Sequence, residues 1–202
     1  MIALIDYGEG NLGSVEKALK HVGCEVQTTN SPEVLATADG VVLPGVGAFD
    51  DCMHGLEKSG LVDPITELIA ADKPFLGICL GLHMLFATSE EGERAGLDIL
   101  PGRVVRFRHD LKIPQIGWNQ LTRTNDAPHL DGLEDGTWVY FVHSYYVEPE
   151  DESIIATTTD YGVTFCSSIQ RGNLFACQFH PEKSQAAGLR ILDNFRKLAS
   201  GA

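Results

Sequence analysis

The chain has 202 residues, of which 44% are hydrophobic and 21% charged, a composition typical of one globular domain. Its formal net charge of −13 opposes general binding to nucleic acid or to anionic lipid. No apolar run approaches a membrane span, the N-terminus lacks the basic flank of a secretory signal, and the five cysteines form no Cys-x-x-Cys pair. We therefore expect a cytoplasmic chain with free thiols and no metal site.

Short apolar strands alternate with helical patterns through the first half of the chain. The sequence predicts strands at residues 2–5, 25–28 and 40–43 and a fourth that begins at residue 75; it predicts helices at residues 12–22, 46–56 and 61–70. Repeated strand-helix units are typical of a parallel sheet with helices on both faces. We expect an α/β fold with an open, mostly parallel, flavodoxin-like sheet whose ligands lie at the carboxyl ends of the strands.

A cysteine flanked by glycines follows the fourth predicted strand, in Gly-Ile-Cys-Leu-Gly at 77–81. This pattern is typical of a nucleophile elbow, a sharp strand-to-helix turn in which larger flanking side chains would collide with neighbouring elements. The apolar stretch that follows, through Phe86, predicts a helix whose N-terminus would stabilise a thiolate at Cys79. The alternative is a small buried cysteine at the end of a core strand.

The pattern changes after Gly92, where turns separate short segments rich in β-branched and aromatic residues. These segments predict strands at residues 104–107, 115–121, 137–142, 153–159, 163–169 and 174–179, in an additional antiparallel or mixed region. A final helix is predicted at residues 184–199 with Ser184 as its N-cap. The sequence has no linker and no repeat, so we expect a single domain over residues 1–202.

A histidine and a carboxylate, His180 and Glu182, lie between the last predicted strand and the last helix. Because Pro181 favours an extended His180, Glu182 can hold one ring nitrogen while the other faces Cys79. The glycines of Pro-Gly-Val-Gly at 44–47 follow the third strand and can present backbone N–H groups as an oxyanion hole. The alternatives are a structural histidine at a helix start and an ordinary glycine turn.

Together these motifs resemble the class I glutamine amidotransferases, and most closely the glutaminase subunits of imidazole glycerol phosphate synthases. The resemblance rests on Asp-Tyr-Gly-Glu-Gly-Asn-Leu at 6–12, Pro-Gly-Val-Gly-Ala-Phe at 44–49, the elbow at 77–81, Ile-Gly-Trp-Asn at 116–119, Tyr-Phe-Val-His-Ser-Tyr at 140–145 and His-Pro-Glu-Lys-Ser at 180–184. It spans nearly the whole chain. It implies hydrolysis of L-glutamine to glutamate and ammonia through a cysteine thioester, with no cofactor.

The resemblance also implies a role for each matching residue. Cys79 attacks the amide carbonyl, His180 protonates the leaving ammonia and later activates water, and Glu182 orients His180. The oxyanion hole is implied at Val46, Gly47 and Leu80. Contacts to glutamine are implied at Gly47, His83, Glu91, His143, Ser144 and Tyr145.

Two of these assignments leave alternatives open. Glu91 is preferred to Glu90 by its distance along the chain from the cysteine. His83 stands where the family usually has glutamine. It either keeps the substrate contact through a ring nitrogen or leaves that contact to water, and a surface histidine on the helix after the elbow is the structural alternative.

The family's second subunit is a TIM-barrel cyclase that receives the ammonia, and its bound nucleotide stimulates the glutaminase. The residues implied to face this partner are Asn11, Trp118, Tyr140 and Lys183. An aromatic anchor such as Trp118 suits the centre of an interface, and a core tryptophan is the alternative. A cysteine peptidase or other acyl hydrolase and a catalytically silent module are the alternative functions. The interface motifs disfavour the first, and the intact catalytic residues disfavour the second.

Overall fold

The computed structural model describes residues 1–201 and contains a central eleven-stranded sheet and a separate two-stranded sheet. The strands are β1 (Ile2–Ile5), β2 (Val26–Thr29), β3 (Gly40–Gly45), β4 (Phe75–Cys79), β5 (Phe86–Ser89), β6 (Leu100–Arg106), β7 (Gln115–Gln120), β8 (Thr122–Arg123), β9 (Trp138–His143), β10 (Tyr145–Pro149), β11 (Ile155–Asp160), β12 (Thr164–Arg171) and β13 (Leu174–Cys177). The helices are α1 (Leu12–His21), α2 (Pro32–Thr37), α3 (Phe49–Lys58), α4 (Val62–Ala70), α5 (Leu80–His83) and α6 (Gln185–Ser200). Short 3-10 turns lie at Pro128–Leu130, Glu152–Ile154 and Pro181–Lys183.

The parallel part of the main sheet has the strand order β2-β1-β3-β4-β13. In its register Gly45 lies beside Cys79, and Ile78 lies beside Cys177. The loops that follow β3, β4 and β13 therefore open at one edge of the sheet. This edge brings the glycine loop, the elbow cysteine and the segment containing His180 together.

Beyond β13 the sheet continues through antiparallel pairs, in the order β12, β10 and β6, and ends with β5 parallel to β6. The predicted α/β architecture, parallel in its first half and mixed in its second, is confirmed. No helix within residues 1–201 is long and apolar enough to cross a membrane. Ala202 lies outside the described residues, and a single domain over 1–202 stays a prediction.

The core occupies both faces of the parallel sheet. Ala3 and Ile5 pack with α2, α3 and α4 on one face, while Ile2 and Leu4 pack with α1 and α6 on the other. Burial on both faces explains why β1 and β3 are continuous apolar runs without polar alternation.

The predicted length of the helix after the elbow is wrong. Helix α5 ends at His83, and Phe86 begins β5. The carbonyl groups of Met84 and Leu85 accept hydrogen bonds from the backbone N–H groups of Leu97 and Leu100. Pairing with a distant segment therefore ends the helix, although its apolar sequence would allow it to continue.

Ser184 is not the predicted side-chain cap of the last helix. Its hydroxyl donates to the His180 carbonyl over 2.7 Å and accepts from the Tyr140 backbone N–H over 2.9 Å. Ser184 therefore links the turn containing His180 to β9 by hydrogen bonds.

The helix predicted from residue 46 begins instead at Phe49, because Gly47 has a φ of +97° that no helix accommodates.

Candidate active site

Cys79 lies at the junction of β4 and α5, where the backbone reverses sharply. Its φ of 55° and ψ of −109° fall in a region that residues with side chains rarely adopt, and strain of this kind costs about 1–3 kcal/mol. The turn brings the Cys79 side chain to the wall of a cavity while leaving the residue only 6% exposed. The local geometry is that of the predicted nucleophile elbow.

The glycines around the elbow permit a very close approach of three elements. A Cβ atom on Gly81 would lie 2.0 Å from the Leu43 carbonyl oxygen, and one on Gly45 would lie 2.6 Å from the Leu80 Cβ atom. Both distances are far inside van der Waals contact. These two glycines therefore let α5 pack directly on β3 beside Cys79.

His180 and Glu182 form a buried pair at the same edge of the sheet. His180 is extended, with φ −102° and ψ 97°, and its Nδ1 atom lies 2.8 Å from a Glu182 carboxylate oxygen. Their side chains are 2% and 1% exposed. The contact holds the ring in one orientation, as predicted.

Opposing influences act on the charge of His180. Burial disfavours the protonated ring, but the neighbouring Cys79 and Glu182 outweigh burial and raise the pKa of His180 above its ordinary value. The Nε2 atom forms no hydrogen bond among the described residues. The raised pKa favours a protonated His180 ring beside the Glu182 carboxylate.

A cavity of about 290 Å³ lies in front of Cys79 and His180. It is lined by Val46, Gly47, Cys79, Leu80, His83, Glu91, Pro114, Val142, His143, Ser144, Tyr145 and His180. Every residue that the sequence implied for the oxyanion hole and for glutamine contacts is in this set. Glu182 lies behind His180 and does not line the cavity.

The structure distinguishes the two neighbouring glutamates. Glu91 lines the cavity, and burial raises the pKa of its carboxyl group. The Glu90 carboxylate instead accepts from the Arg106 backbone N–H and the Arg108 guanidinium, each over 2.9 Å. Only Glu91 lies at the cavity.

His83 is buried, so the alternative of a surface histidine is wrong. It is 2% exposed, and its Nε2 atom lies 2.7 Å from the side-chain oxygen of Gln178. Burial lowers the pKa of His83 to about 4. Its Nδ1 atom is buried and has no hydrogen-bond partner among the described residues.

The ring of His143 is fully occupied by internal contacts. Its Nδ1 atom lies 2.7 Å from the Tyr145 carbonyl oxygen, and its Nε2 atom lies 2.9 Å from the Gln115 side-chain oxygen. Burial lowers the pKa of His143 to about 3. His143 is therefore left to contact a ligand through its backbone.

Three of the four residues implied to face a partner form one surface cluster. Trp118 and Tyr140 are cross-strand neighbours on β7 and β9 with ring centroids 6.1 Å apart, and Lys183 Nζ lies 5.9 Å from the Tyr140 ring centroid. Trp118 is 42% exposed, so the alternative of a core tryptophan is wrong. Asn11 lies apart from this cluster, at the start of α1, which contacts the turn containing Lys183.

Sequence reasoning missed three residues of the site. Pro114 and Val142 line the cavity, and Gln178 donates from its side-chain nitrogen to the Cys79 sulfur over 3.8 Å. Pro114 and Val142 carry no chemical signal. Gln178 does, because residues two apart in an extended segment share a face, and Gln178 precedes His180 by two positions.

Comparison with known proteins gives consistent results. The family model of class I glutamine amidotransferases matches residues 3–198. The imidazole glycerol phosphate synthase subunit HisH of Syntrophotalea carbinolica is 56% identical over 203 residues, which cover 96% of this chain and 98% of that protein. The protein of the same name from Aquifex aeolicus is 55% identical over 198 residues, with 97% and 96% coverage.

One solved structure extends the likeness of fold. The glutaminase domain of CTPS from Trypanosoma brucei, with bound acivicin, has a TM-score of 0.75 and 15% sequence identity, and covers 99% of this chain and 93% of that chain. At this identity the likeness concerns the fold alone.

Proposed function

This chain belongs to the class I glutamine amidotransferase family, and we propose that it is the glutaminase subunit of an imidazole glycerol phosphate synthase in histidine biosynthesis. It hydrolyses L-glutamine to glutamate and ammonia and passes the ammonia to a TIM-barrel cyclase subunit. The observation that carries the proposal is the meeting of Cys79, the His180–Glu182 pair and the glycine loop at one cavity.

The chemistry follows from the charges at this cavity. The Cys79 thiolate attacks the side-chain amide carbon of glutamine, and the C=O electron pair moves onto oxygen. Collapse of this tetrahedral adduct breaks the C–N bond, and protonated His180 gives its proton to the leaving ammonia. Neutral His180 then takes a proton from water, which attacks the thioester and releases glutamate and the thiolate. Glu182 keeps the ring in position throughout.

The oxyanion that forms during these steps needs N–H donors. The Cys52 thiol donates to the Val46 carbonyl over 3.5 Å. Because the carbonyl and N–H of a trans peptide point in opposite directions, the Gly47 N–H is directed away from Cys52 and α3. We assign the backbone N–H groups of Val46, Gly47 and Leu80 as the oxyanion donors.

The cavity wall also suits the other end of glutamine. Glu91 is the one carboxylate among the lining residues, and we assign it to the α-ammonium group of the substrate. The unpartnered Nδ1 atom of His83 is an acceptor for a substrate N–H. Backbone groups of His143, Ser144 and Tyr145 complete the contacts.

The surface for the barrel partner is the outer face of the two-stranded sheet β7–β9, here called the ribbon. Ile116 and Trp138 on this face are 56% and 54% exposed, and Trp118 and Tyr140 lie between them. Val142, on the same face, lines the cavity. Continuity of an apolar surface with the cavity mouth is what transfer of ammonia to a docked partner requires.

We assign the chain to the cytoplasm. Its cysteines at positions 24, 52, 79, 166 and 177 are all free thiols, which suits a reducing compartment. Fractionation of source cells with detection of the chain in the cytoplasmic fraction tests this assignment, and recovery from a secreted or envelope fraction would contradict it.

Titration with a chloroketone analogue of glutamine tests the proposed chemistry. We expect one equivalent to bind covalently, at Cys79 by peptide mass spectrometry, with glutamine protecting the site competitively. Modification of another cysteine, or no protection by glutamine, would contradict the proposal. Cys177 is the matched control, because it is a buried free thiol that does not line the cavity.

A further inference from the structure

A hydrogen-bonded network of three side chains runs from His83 through Gln178 to Cys79. His83 Nε2 lies 2.7 Å from Gln178 Oε1, and Gln178 Nε2 donates to the Cys79 sulfur over 3.8 Å. His83 is 2% exposed and Gln178 has no exposed surface, so water does not compete with either contact. Hydrogen bonds in such dry surroundings are stronger than at a surface.

The orientation of the Gln178 amide sets the direction of each hydrogen bond in this network. With its pKa lowered to about 4 by burial, the His83 ring is neutral near pH 7 and has one N–H. The Gln178 oxygen can only accept, so this N–H is on Nε2 of His83. Because the Gln178 oxygen faces His83, its NH₂ group faces the sulfur.

We propose that Gln178 stabilises the Cys79 thiolate through its amide N–H, and that His83 is the positioning residue that holds Gln178 in this orientation. The inference rests on the proposed function, in which Cys79 must be ionised to attack glutamine. A charged acceptor forms a stronger hydrogen bond than a neutral thiol does, so this donor favours the thiolate. Loss of the donor shifts ionisation of Cys79 to higher pH.

A second histidine–glutamine pair provides a matched control. His129 Nδ1 lies 3.0 Å from Gln170 Oε1, and His129 is 1% exposed. Its ring stacks on Phe175, and the Gln170 amide nitrogen donates to the Gly172 carbonyl oxygen, not to a sulfur. The same kind of pair is thus present without a link to the thiol.

The test is the rate of Cys79 alkylation by iodoacetamide as a function of pH, followed by mass spectrometry of the Cys79 peptide. In Gln178→Met we expect the pH midpoint of alkylation to rise by about 0.5–1 unit. His83→Phe should raise it less, and the double variant no more than Gln178→Met alone. Gln170→Met should leave the midpoint unchanged.

Two further measurements separate the network from a general loss of structure. His83→Gln retains an N–H donor for Gln178, so it should keep the wild-type midpoint. An unchanged midpoint in Gln178→Met, an equal shift in Gln170→Met, or additive shifts in the double variant would overturn the inference. Glutamate release by the wild-type complex is measured in parallel; release with no midpoint shift refutes the network alone, and no release refutes the proposed function.

Discussion

The backbone at Cys79 is strained, and the strain has a measurable consequence. We expect Cys79→Gly to be more stable than Cys79→Ala by about 1 kcal/mol, because only glycine relaxes a φ of 55° with a ψ of −109°. Neither variant can form a thioester, so the comparison isolates the backbone. Urea unfolding of the two variants measures the difference in free energy, and a more stable alanine variant would contradict a strained elbow.

Gly13 is the control, because alanine is more stable than glycine at an ordinary helical position. Gly13 lies in α1, and a Cβ atom added there would meet nothing within 4 Å. Gly13→Ala should therefore raise the free energy of unfolding, by up to about 1 kcal/mol.

At the positions that we propose as catalytic, sequence motifs carried most of the information. The elbow at Cys79 and the extended backbone at His180 were predictable because glycine spacing and the His-Pro step restrict the local backbone. The burial of His83 was not predictable, because the length of α5 depends on pairing with a segment far along the chain. Gln178 was missed for another reason: its contact with Cys79 forms only because the ends of β4 and β13 lie side by side.

The ribbon is the element that we assign to docking of the barrel partner. Removal of an aromatic side chain from the centre of a desolvated interface commonly costs about 2 kcal/mol or more. We expect Trp118→Ala to raise the Kd for an imidazole glycerol phosphate synthase barrel subunit by at least about tenfold. Titration calorimetry measures this change.

Leu111→Ala is the matched control for the ribbon. Leu111 is 48% exposed, similar to the 42% of Trp118, but it lies outside the ribbon. The Kd should be unchanged in this variant. Equal changes in Kd in the two variants, or no change in Trp118→Ala, would contradict the assignment of the ribbon to the interface.

The elements differ in how far sequence determines them. Strands β1, β3 and β4 were predictable because each is a short apolar run. Helices α1, α3 and α4 were predictable because each carries a helical hydrophobic period. Helix α2 was missed although Ser31 and Pro32 give a start signal, and the Ser31 hydroxyl accepts from the Val34 N–H. Strands β5, β8 and β10 were missed: β8 has only two residues, and β5 begins at Phe86, within the apolar run that predicted a helix.

Buried neutral histidines link the stability of the whole molecule to pH. Burial lowers the pKa of His83 and His129 to about 4 and that of His143 to about 3, each from the ordinary value of 6.5. Between these values the unfolded chain binds more protons than the folded chain, so the free energy of unfolding falls as pH falls from 6.5 towards 4.

His129→Phe tests this linkage away from the cavity. The substitution keeps the stacking on Phe175 and removes one titrating ring, so the pH slope should decrease by up to about 1.4 kcal/mol per pH unit. Gln170→Met removes the hydrogen bond but leaves the ring, and should retain most of the slope. Urea unfolding across this pH range measures both slopes; an unchanged slope in His129→Phe would contradict the linkage.

The measurement that tests the proposed function most directly is glutamate release from glutamine by the purified chain, alone and with an imidazole glycerol phosphate synthase barrel subunit and its nucleotide ligand. We predict strong stimulation by the barrel and its ligand, and loss of release in Cys79→Ser. High release of glutamate by the free chain would support the proposed glutaminase chemistry but contradict its control by the partner. No release in any mixture would contradict the account of this protein as a glutaminase.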